Sequence, residues 1–469
     1  MAIMLYNTMN RKKEEFVPVH GNRVNFYACG PTVYDYFHIG NARPLIIFDV
    51  FRRYLEYRGY DVNYIVNITD VDDKIINRAN EQGVEPDDIA RKFTAAYFEG
   101  AEKLGVREAT VHPRATDNID AMIEFISTLI EKGYAYEIDG DVYFDVPSFS
   151  GYGKLSGRNI EDLQSGARVE VDQRKKNPMD FALWKAVKPG EPSWDSPWGP
   201  GRPGWHIECS VMSTRFGAET LDIHAGGQDL IFPHHENEVA QSEAYSGKPF
   251  AKYWIHNGFL DIEGEKMSKS LGNFLTVKDI LEKYDPMSIR MFFLLKHYRS
   301  PIDFSEERIR EAQTALERLR NAYGKITRVL AHPDGEVPAE GVFENIARLR
   351  SQIEEAMDDD FNTGRAMGYM FELARAVNAT DENDSTAPAF MQAAKAVFDD
   401  IGTTVFGLVF EAEESVEGLA GELVNFIMEL RQEARRDKNW AIADRIRDGL
   451  KDLGIVIEDR PEGPVWKRE

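Results

Sequence analysis

The apolar and polar positions near the start of the chain predict a strand, a helix and a second strand. Residues 24–29 alternate between apolar and polar side chains, and residues 62–68 predict another strand. Between them, residues 41–58 predict a helix with Pro44 in its first turn, where the missing N–H of proline is tolerated. This order opens a doubly wound parallel sheet, so we predict an α/β fold whose ligands bind beyond the carboxyl ends of the strands.

The turn after the first strand contains His38 and Gly40, and it therefore lies where such a fold binds ligands. Neither the dinucleotide fingerprint G-x-G-x-x-G nor the Walker A pattern occurs at this turn. Their absence argues against a dehydrogenase and against a P-loop enzyme. Another form of nucleotide chemistry is required.

The pattern then becomes irregular. From about residue 116 to residue 204 it weakens into short strands such as residues 141–146, and residues 189–205 are rich in Pro, Gly and Trp. We interpret this region as an insertion, because long irregular segments inside compact proteins are usually packed or functional loops. Strand character returns at residues 221–225.

The pattern is helical from Ser305 onward, with Glu306 and Glu307 in the first turn, where acidic residues suit the helix dipole. Apolar residues recur at helical spacing at Ile309, Ala312, Leu316, Leu319, Tyr323 and Ile326. We predict that this stripe packs in a helical bundle ending near Phe410, followed by an acidic linker at residues 411–417. The predicted order is an α/β domain in two halves, 1–115 and 205–304, an insertion at 116–204, the bundle at 305–410 and a small module at 420–469.

The composition is that of a globular protein with more than one core. The chain has 469 residues, of which 43% are hydrophobic, a length that predicts roughly two to four modules. No apolar run approaches the ~20 residues that span a bilayer, and the polar first 15 residues lack the apolar region of a signal peptide. We therefore expect a cytoplasmic protein.

The formal net charge of −23 argues against a surface that binds nucleic acid everywhere, because phosphate contacts need clustered Lys and Arg. Residues 431–469 differ, since they hold ten Lys and Arg against nine Asp and Glu, a net charge of +1. The preceding residues therefore carry −24, and the C-terminal end is set apart electrostatically.

The only two cysteines, Cys29 and Cys209, lie in segments rich in other reactive side chains. Two thiolates, an imidazole and a carboxylate suit a tetrahedral Zn²⁺ site, and on a helix His234 and Glu238 share one face. His235 is an alternative ligand, although it pairs with Glu238 only at i+3. The cysteines could also be two core residues, whereas a disulfide is disfavoured in a long chain without a signal peptide.

Lys266 and Lys269 lie in the string Lys-Met-Ser-Lys-Ser between Gly264 and Gly272. Two lysines and two hydroxyls on a loop that glycines let move would suit an anion. A random lysine pair would more often be a solvated surface turn. The occurrence of this string after His-Ile-Gly-Asn at residues 38–41 makes chance implausible.

Both strings resemble the signature motifs of the class I aminoacyl-tRNA synthetases. Four further segments are similar to the cysteinyl-tRNA synthetase family, and they surround Cys29, Cys209, residues 232–238 and residues 67–74. The resemblance covers essentially the whole chain. It implies a Rossmann-like catalytic domain with a connective insertion, a helical bundle and a C-terminal anticodon-recognition module.

The resemblance implies that ATP, bound with Mg²⁺, activates L-cysteine to cysteinyl-adenylate, and that the acyl group then passes to the 3′ end of tRNA(Cys). The residues that it places at ATP are His38, Gly40, Asn41, Gly227, Asp229, Lys266 and Lys269. The class motif ends in histidine where this chain has Asn41, so we expect a polar contact there and no proton transfer. Lys266 and Lys269 would close over the leaving pyrophosphate.

One Zn²⁺ per chain, held by Cys29, Cys209, His234 and Glu238, would bind the substrate thiol and so reject serine. Because four protein ligands are already present, the substrate sulfur would make a fifth contact or displace a weak one. Glu238 is the ligand that we expect to loosen.

Thr69 and Trp205 are similar to family residues that line the amino-acid pocket, although a strand-end threonine and a core aromatic are equally ordinary. Arg435, Trp440 and Asp444 lie in a segment that resembles the part that reads the anticodon, where an exposed tryptophan can stack on an unpaired base. Trp440 could instead anchor the core of a small helix pair. We expect a monomer.

Two other functions compete with this one. A cysteine ligase that joins activated cysteine to an amino sugar would share the catalytic half, but such ligases lack an anticodon module. An inactive zinc-containing RNA-binding relative would not require His38, both motif lysines and the metal ligands together.

Overall fold

The computed structural model describes the chain except for residues 1, 159–173, 263–264, 267–274, 332–342, 411–415, 461–462 and 469. It divides into two compact units, Met1–Phe410 and Glu411–Glu469. Within the described ranges, no helix is long and apolar enough to cross a membrane.

The first unit contains strands and helices up to Phe304 and helices after it. Its strands are β1 (Met4–Asn7), β2 (Lys12–Glu15), β3 (Arg23–Ala28), β4 (Asp61–Val66), β5 (Ala135–Ile138), β6 (Asp141–Phe144), β7 (Phe181–Ala186), β8 (Gly201–Pro203), β9 (Leu221–Gly227), β10 (Ala251–Asn257), β11 (Leu260–Ile262), β12 (Glu265–Lys266) and β13 (Ile302–Phe304). Its α-helices are Ile39–Tyr57, Asp73–Gln82, Pro86–Lys103, Ile119–Glu131, Trp205–Phe216, Glu236–Ser246, Val277–Leu281, Pro286–Leu294, Glu306–Ala331, Glu344–Asp358, Thr363–Ala379 and Ala387–Val397.

A parallel sheet with the strand order β10-β9-β3-β4 forms the centre of this unit. From β3 the chain proceeds outward to β4, and from β9 it proceeds outward in the opposite direction to β10. The topology therefore reverses between β3 and β9, where the Cys29 N–H donates to the Ala225 carbonyl over 3.1 Å. This arrangement confirms the predicted doubly wound parallel sheet and places its ligand-binding crevice at the ends of β3 and β9.

Successive side chains of the sheet point to opposite faces, and a separate hydrophobic core packs on each face. Val24 and Phe26 of β3 belong to the core that contains helix Ile39–Tyr57 and the helical bundle. Tyr27, which points the other way, belongs to a second core with helix Trp205–Phe216 and the insertion. The two cores therefore cover opposite faces of the sheet.

The insertion contains a four-stranded antiparallel sheet with the order β5-β6-β7-β8, in which Trp184 is fully buried. Helix Ile119–Glu131 also lies in this region, so the expectation of irregular short strands alone was wrong for its first part. The helix buries Ile119, Met122, Phe125, Ile126 and Leu129, a helical spacing that the sequence already contained.

The bundle consists of the helices that follow Phe304. The predicted stripe on helix Glu306–Ala331 is buried throughout, which confirms its packing role. Arg290, on helix Pro286–Leu294 just before the bundle, forms a fully buried ion pair with Asp49 of helix Ile39–Tyr57. The Arg290 Nε also donates to the carbonyl of Phe406 over 2.6 Å, so one guanidinium joins three parts of the unit.

The second unit has its own small core. Helices Val416–Arg436 and Trp440–Asp452 are followed by a hairpin of β14 (Ile455–Arg460) and β15 (Gly463–Arg468). Val424, Met428 and Leu450 are buried between the helices. Most of the expected acidic linker lies outside the described residues, and its last residues belong to the first helix.

We predict that Asp49→Asn lowers the free energy of unfolding by about 3–5 kcal/mol, because it leaves the buried Arg290 charge unpaired. Urea unfolding of the full chain, followed by tryptophan fluorescence, measures this loss. Glu311→Gln is the control, since its ion pair with Arg308 is more than half exposed and should contribute within about 0.5 kcal/mol. Equal effects of the two changes would contradict the prediction.

Candidate active site and metal centre

The two cysteines meet at the point where the sheet topology reverses. Cys29 directly follows β3, Cys209 lies in helix Trp205–Phe216, and their Sγ atoms are 3.9 Å apart. Glu238 Oε1 lies 3.7 Å from Cys29 Sγ and 3.0 Å from His234 Nε2. One ligand atom from each of these four residues lies within 4.8 Å of the others. The structure thus brings together all four predicted ligands.

A second set of possible ligands shares Cys29 and Glu238 but uses His224 and His235. His235 Nε2 lies 3.3 Å from Cys29 Sγ, so the alternative that the sequence left open is present in the geometry. Its other nitrogen, Nδ1, is 2.8 Å from His256 Nε2. We favour the set with both thiols, because soft thiolate ligands bind zinc in preference to harder cations that favour oxygen ligands.

The four side chains suit a cation electrostatically. Glu238 is fully buried, and burial raises the pKa of its carboxyl group well above the ordinary value. Burial and the neighbouring Cys209 and Glu238 likewise raise the pKa of the Cys29 thiol. Grouping potential anions in a dry site is unfavourable unless a positive charge offsets them, and a bound divalent cation supplies that charge. The donor set therefore fits a metal ion.

Three histidines that were not predicted from the sequence, His206, His224 and His256, lie around these ligands. Five of the ten histidines gather here, namely His206, His224, His234, His235 and His256. Burial lowers the pKa of His206, His224 and His256 to about 3, so these rings are neutral. Only His206 lies close in sequence to a predicted ligand, three residues before Cys209, so sequence spacing gave no signal for His224 and His256.

The neutral rings orient the ligands. His224 Nε2 lies 2.7 Å from Glu238 Oε2 and can donate to it, leaving Oε1 toward the cluster. His206 Nδ1 and His234 Nδ1 are 2.8 Å apart, so one of the two must carry the proton. If His234 Nε2 binds the metal, its Nδ1 donates to His206, which fixes both tautomers.

The loop after β3 is held by an unusually close backbone approach. A Cβ on Gly30 would lie 1.6 Å from the Asn67 carbonyl oxygen, and the Gly30 N–H donates to Asn67 Oδ1 over 2.8 Å. Asn67 follows β4, and its side chain also contacts the Cys209 thiol at 3.9 Å. Only glycine fits this position, and the fit places Cys29 against Cys209.

One cleft of about 410 Å³ opens beside the cysteines. Thr69, Trp205 and His234 line it, as do Cys29 and Cys209. Trp205 stacks on the His234 ring at 4.0 Å and remains 39% exposed, so it is a cleft wall rather than a core residue.

Thr69 is fixed by a residue that the sequence analysis did not assign. Its hydroxyl donates to Glu208 Oε2 over 2.7 Å, and both side chains are almost fully buried. Burial raises the pKa of the Glu208 carboxyl group well above its ordinary value. The Asn67 side-chain amide donates to the same Thr69 oxygen over 3.3 Å, so the hydroxyl is held from two sides.

The same cleft is lined by the predicted nucleotide residues His38, Gly40, Asn41, Gly227 and Asp229. His38 directly precedes helix Ile39–Tyr57 in an extended conformation, and its side chain does not cap the helix, so the start of the helix lies at the cleft. Asp229 lies in the short turn directly after β9. These positions surround the crevice expected at the carboxyl ends of β3 and β9.

Two predicted groups are not placed in the cleft. The backbone of Lys266 lies in β12, while Lys269 and the rest of residues 267–274 fall outside the described residues. Arg435, Trp440 and Asp444 belong to the second unit, where Trp440 opens a helix and is 57% exposed. That exposure disfavours the alternative in which Trp440 anchors the core of the helix pair.

Family models and curated relatives agree on the identity of this arrangement. Residues 15–314 match the class I (C) tRNA synthetase catalytic domain, residues 352–411 match a DALR domain, and residues 421–466 match the cysteinyl-tRNA ligase anticodon-binding domain. A cysteine-tRNA ligase of Geobacillus thermodenitrificans is 53% identical over 468 residues, covering 100% of this chain and 99% of the relative. That of Bacillus velezensis is 52% identical over 469 residues, covering 100% of both.

The chain belongs to the cysteinyl-tRNA synthetase family. The family resemblance predicted from the motifs is thereby confirmed. A solved methionyl-tRNA synthetase of Mycobacterium tuberculosis superposes with a TM-score of 0.62 at 17% identity, covering 86% of this chain and 94% of that one. A putative arginyl-tRNA synthetase of Campylobacter jejuni gives a TM-score of 0.57 at 13% identity, covering 83% and 93%. At such identities these structures support the class I fold of this cysteinyl-tRNA synthetase family member.

We predict that Gly30→Ala weakens Zn²⁺ binding by about 10- to 100-fold, because the added Cβ pushes the Cys29 loop away from Asn67. Competition with a chromogenic chelator measures the affinity. Gly324→Ala adds the same atom in open space on helix Glu306–Ala331, where it should leave zinc binding unchanged and slightly favour the helix. Unaltered affinity in Gly30→Ala would show that the loop is not part of the metal centre.

Proposed function

We propose that this protein activates L-cysteine with ATP and transfers it to the 3′ end of tRNA(Cys). The observation that carries the proposal is that two kinds of residue line a single cleft. Cys29, Cys209 and His234 of the candidate metal centre face the same space as His38 and Asn41 of the nucleotide motif. A cleft of this volume suits a small ligand such as an aminoacyl nucleotide.

In the activation step the cysteine carboxylate attacks the α-phosphorus of ATP, and pyrophosphate leaves. The protein has to position the reactants and stabilise charge, since it forms no covalent bond in this step. His38 and Asn41 would contact the phosphates at the positive end of helix Ile39–Tyr57, with Gly40 allowing the adenosine to approach. Gly227 and the Asp229 carboxylate would face the ribose.

Lys266 and Lys269 would neutralise the pyrophosphate as its charge develops, together with the Mg²⁺ that accompanies ATP. Support for this role comes from the residues that flank the motif. β12, which contains Lys266, pairs with β11 at the edge of the cleft, since Leu260 lines the same space as His38.

We propose that the metal is Zn²⁺ and that Cys29, Cys209, His234 and Glu238 hold it. Bound zinc prefers the sulfur of cysteine to the hydroxyl of serine, which differ by little else. Trp205 and Thr69 would hold the rest of the amino acid, with Thr69 oriented by its hydrogen bond to Glu208. Selection by sulfur chemistry would remove the need for an editing site.

Glu238 is the ligand that we expect to yield when substrate sulfur binds. Carboxylate oxygen is the hardest donor of the set, and Glu238 keeps a second partner because His224 contacts its other oxygen at 2.7 Å. A cysteine complex that retains a tight Glu238 contact and shows no zinc-sulfur contact would refute this part of the proposal.

In the second unit, we propose that Arg435, Trp440 and Asp444 read the anticodon. Trp440 presents an exposed ring at the start of its helix, and Asp444 lies one turn further on the same helix, 3.0 Å from Arg447. Exposed aromatic rings stack on unpaired bases, while Arg and Asp bond to base edges.

The match of residues 421–466 to an anticodon-binding domain favours tRNA as the acceptor and gives the amino-sugar ligase alternative no support. The monomeric state and the cytoplasmic location remain predictions from the sequence.

We predict cysteine-dependent exchange of pyrophosphate into ATP, followed by charging of tRNA(Cys) with radiolabelled cysteine. Treatment with a zinc chelator should abolish the cysteine-dependent exchange, because the proposed ligands, among them Cys29 and Glu238, then lack their cation. Added Zn²⁺ should restore it. Serine in place of cysteine is the control and should give no exchange. Exchange without charging would favour the amino-sugar ligase.

We predict that Trp440→Ala raises the KM for tRNA(Cys) by about tenfold or more, since loss of one stacked base costs ~1–3 kcal/mol. ATP-pyrophosphate exchange should be unchanged, because it does not involve tRNA. Leu423→Ala, which removes another exposed apolar side chain of the same unit, is the matched control. An equal loss of charging and exchange in Trp440→Ala would refute the anticodon role.

A further inference from the structure

We infer that Arg43 is a positioning residue that holds the nucleotide side of the cleft in shape. This inference rests on the proposed function only in taking the ligand of that side to be ATP. Arg43 lies on helix Ile39–Tyr57, two residues after Asn41, and is 1% exposed. It does not line the cleft, so its influence must pass through the residues that it contacts.

The Arg43 guanidinium binds backbone carbonyls from two separate segments. Nη1 donates to the carbonyls of Gly258 and Phe259 over 2.7 and 2.8 Å. Nη2 donates to those of Tyr298 and Ser300 over 2.9 and 2.6 Å, with a longer contact of 3.4 Å to His297. None of these partners is a carboxylate. Burial lowers the pKa of Arg43 to about 10, which still leaves it charged at neutral pH.

These contacts join two loops that approach each other very closely. A Cβ on Gly258 would lie 2.6 Å from the Arg299 carbonyl oxygen and 2.7 Å from that of Ser300, and the Gly258 N–H donates to Tyr298 over 2.8 Å. Several carbonyl oxygens therefore converge with like partial charges. A planar cation with a fork of donors offsets that repulsion, which the single point charge of lysine cannot do in the same geometry.

The loop that Arg43 holds forms part of the cleft. Gly258, Phe259 and Leu260 line the same space as His38 and Asn41. Because Arg43 and Asn41 belong to one helix, the guanidinium fixes the loop relative to the nucleotide motif. A displaced loop would change the nucleotide side without moving Cys29 or Cys209.

Arg43 also supports the strand that leads to the lysine motif. Leu260 begins β11, which pairs with β12 and with β13, and the Ile302 N–H donates to the Phe259 carbonyl over 3.1 Å. On the other side of residues 267–274, the Ile39 N–H donates to the Leu275 carbonyl over 3.1 Å. Both flanks of the motif are therefore anchored on the segment around residues 37–43.

The test is Arg43→Lys in the full chain, assayed by ATP-pyrophosphate exchange. We expect the KM for ATP to rise about tenfold or more while the KM for cysteine stays within about twofold, because loss of the bidentate bonds releases only the nucleotide-side loop. The affinity for a non-hydrolysable ATP analogue, measured by calorimetry, should fall by the same factor. This second measurement does not depend on turnover, so it separates failure of the inference from failure of the proposed function.

Arg290→Lys is the matched control. Arg290 is also fully buried and donates to carbonyls of Leu104, Gly105 and Phe406, none of which lines the cleft. It should lower the melting temperature without changing the ratio of the two KM values.

Equal rises in both KM values, or behaviour of Arg43→Lys identical to that of Arg290→Lys, would overturn the inference. If Arg43→Lys does not fold, Gly258→Ala decides the question, since its Cβ pushes apart the same two loops. The same selective weakening of ATP-analogue binding is expected there, and unchanged binding would overturn the inference.

Discussion

The structure depends on burying several potential anions together at the reversal point of the sheet. Cys29, Cys209 and Glu238 meet there with His234, in a site where burial raises the pKa of Cys29 and Glu238. Without a cation these groups would stay protonated, and with one they become its ligands. The parallel order of β3 and β9 brings the ligands together, and the neutral histidines around them supply directed hydrogen bonds without adding positive charge. The candidate metal centre is therefore part of the core of the fold.

A second constraint connects this centre to the nucleotide side. Helix Ile39–Tyr57 begins at the cleft and continues into the core, so residues along its length serve different purposes. Asn41 faces the cleft, Arg43 binds two loops through their carbonyls, and Asp49 pairs with Arg290 next to the bundle. A rigid helix with buried charges at these points keeps the nucleotide motif, the loop after β10 and the bundle in one fixed relation. The cysteines of the candidate metal centre and the nucleotide motif therefore line one cleft.

The sequence predicted the parts of this arrangement that follow from local patterns. The strand-turn-helix unit and the i,i+4 pair of His234 and Glu238 depend on periodicity, which is visible without tertiary structure. The shell of histidines could not be assigned, because His206 and His256 are far apart in sequence and a lone histidine is ordinary. Arg43 was hidden for another reason, since its partners are backbone carbonyls and any residue type supplies those. Helix Ile119–Glu131 was not predicted, because it is a single short helix next to short strands and its apolar residues pack on helices distant in sequence.

The contacts of Glu238 also limit how the metal centre could adjust to substrate. One carboxylate oxygen lies 3.0 Å from His234 and the other 2.7 Å from His224, and the side chain is fully buried. A buried carboxylate that swung away would lose both partners, and a buried polar group without partners is costly. A rotation that lengthens the Oε1 contact while keeping the bond to His224 avoids that cost. We therefore expect Glu238 to yield by a small shift within the cluster, with His224 serving as the pivot.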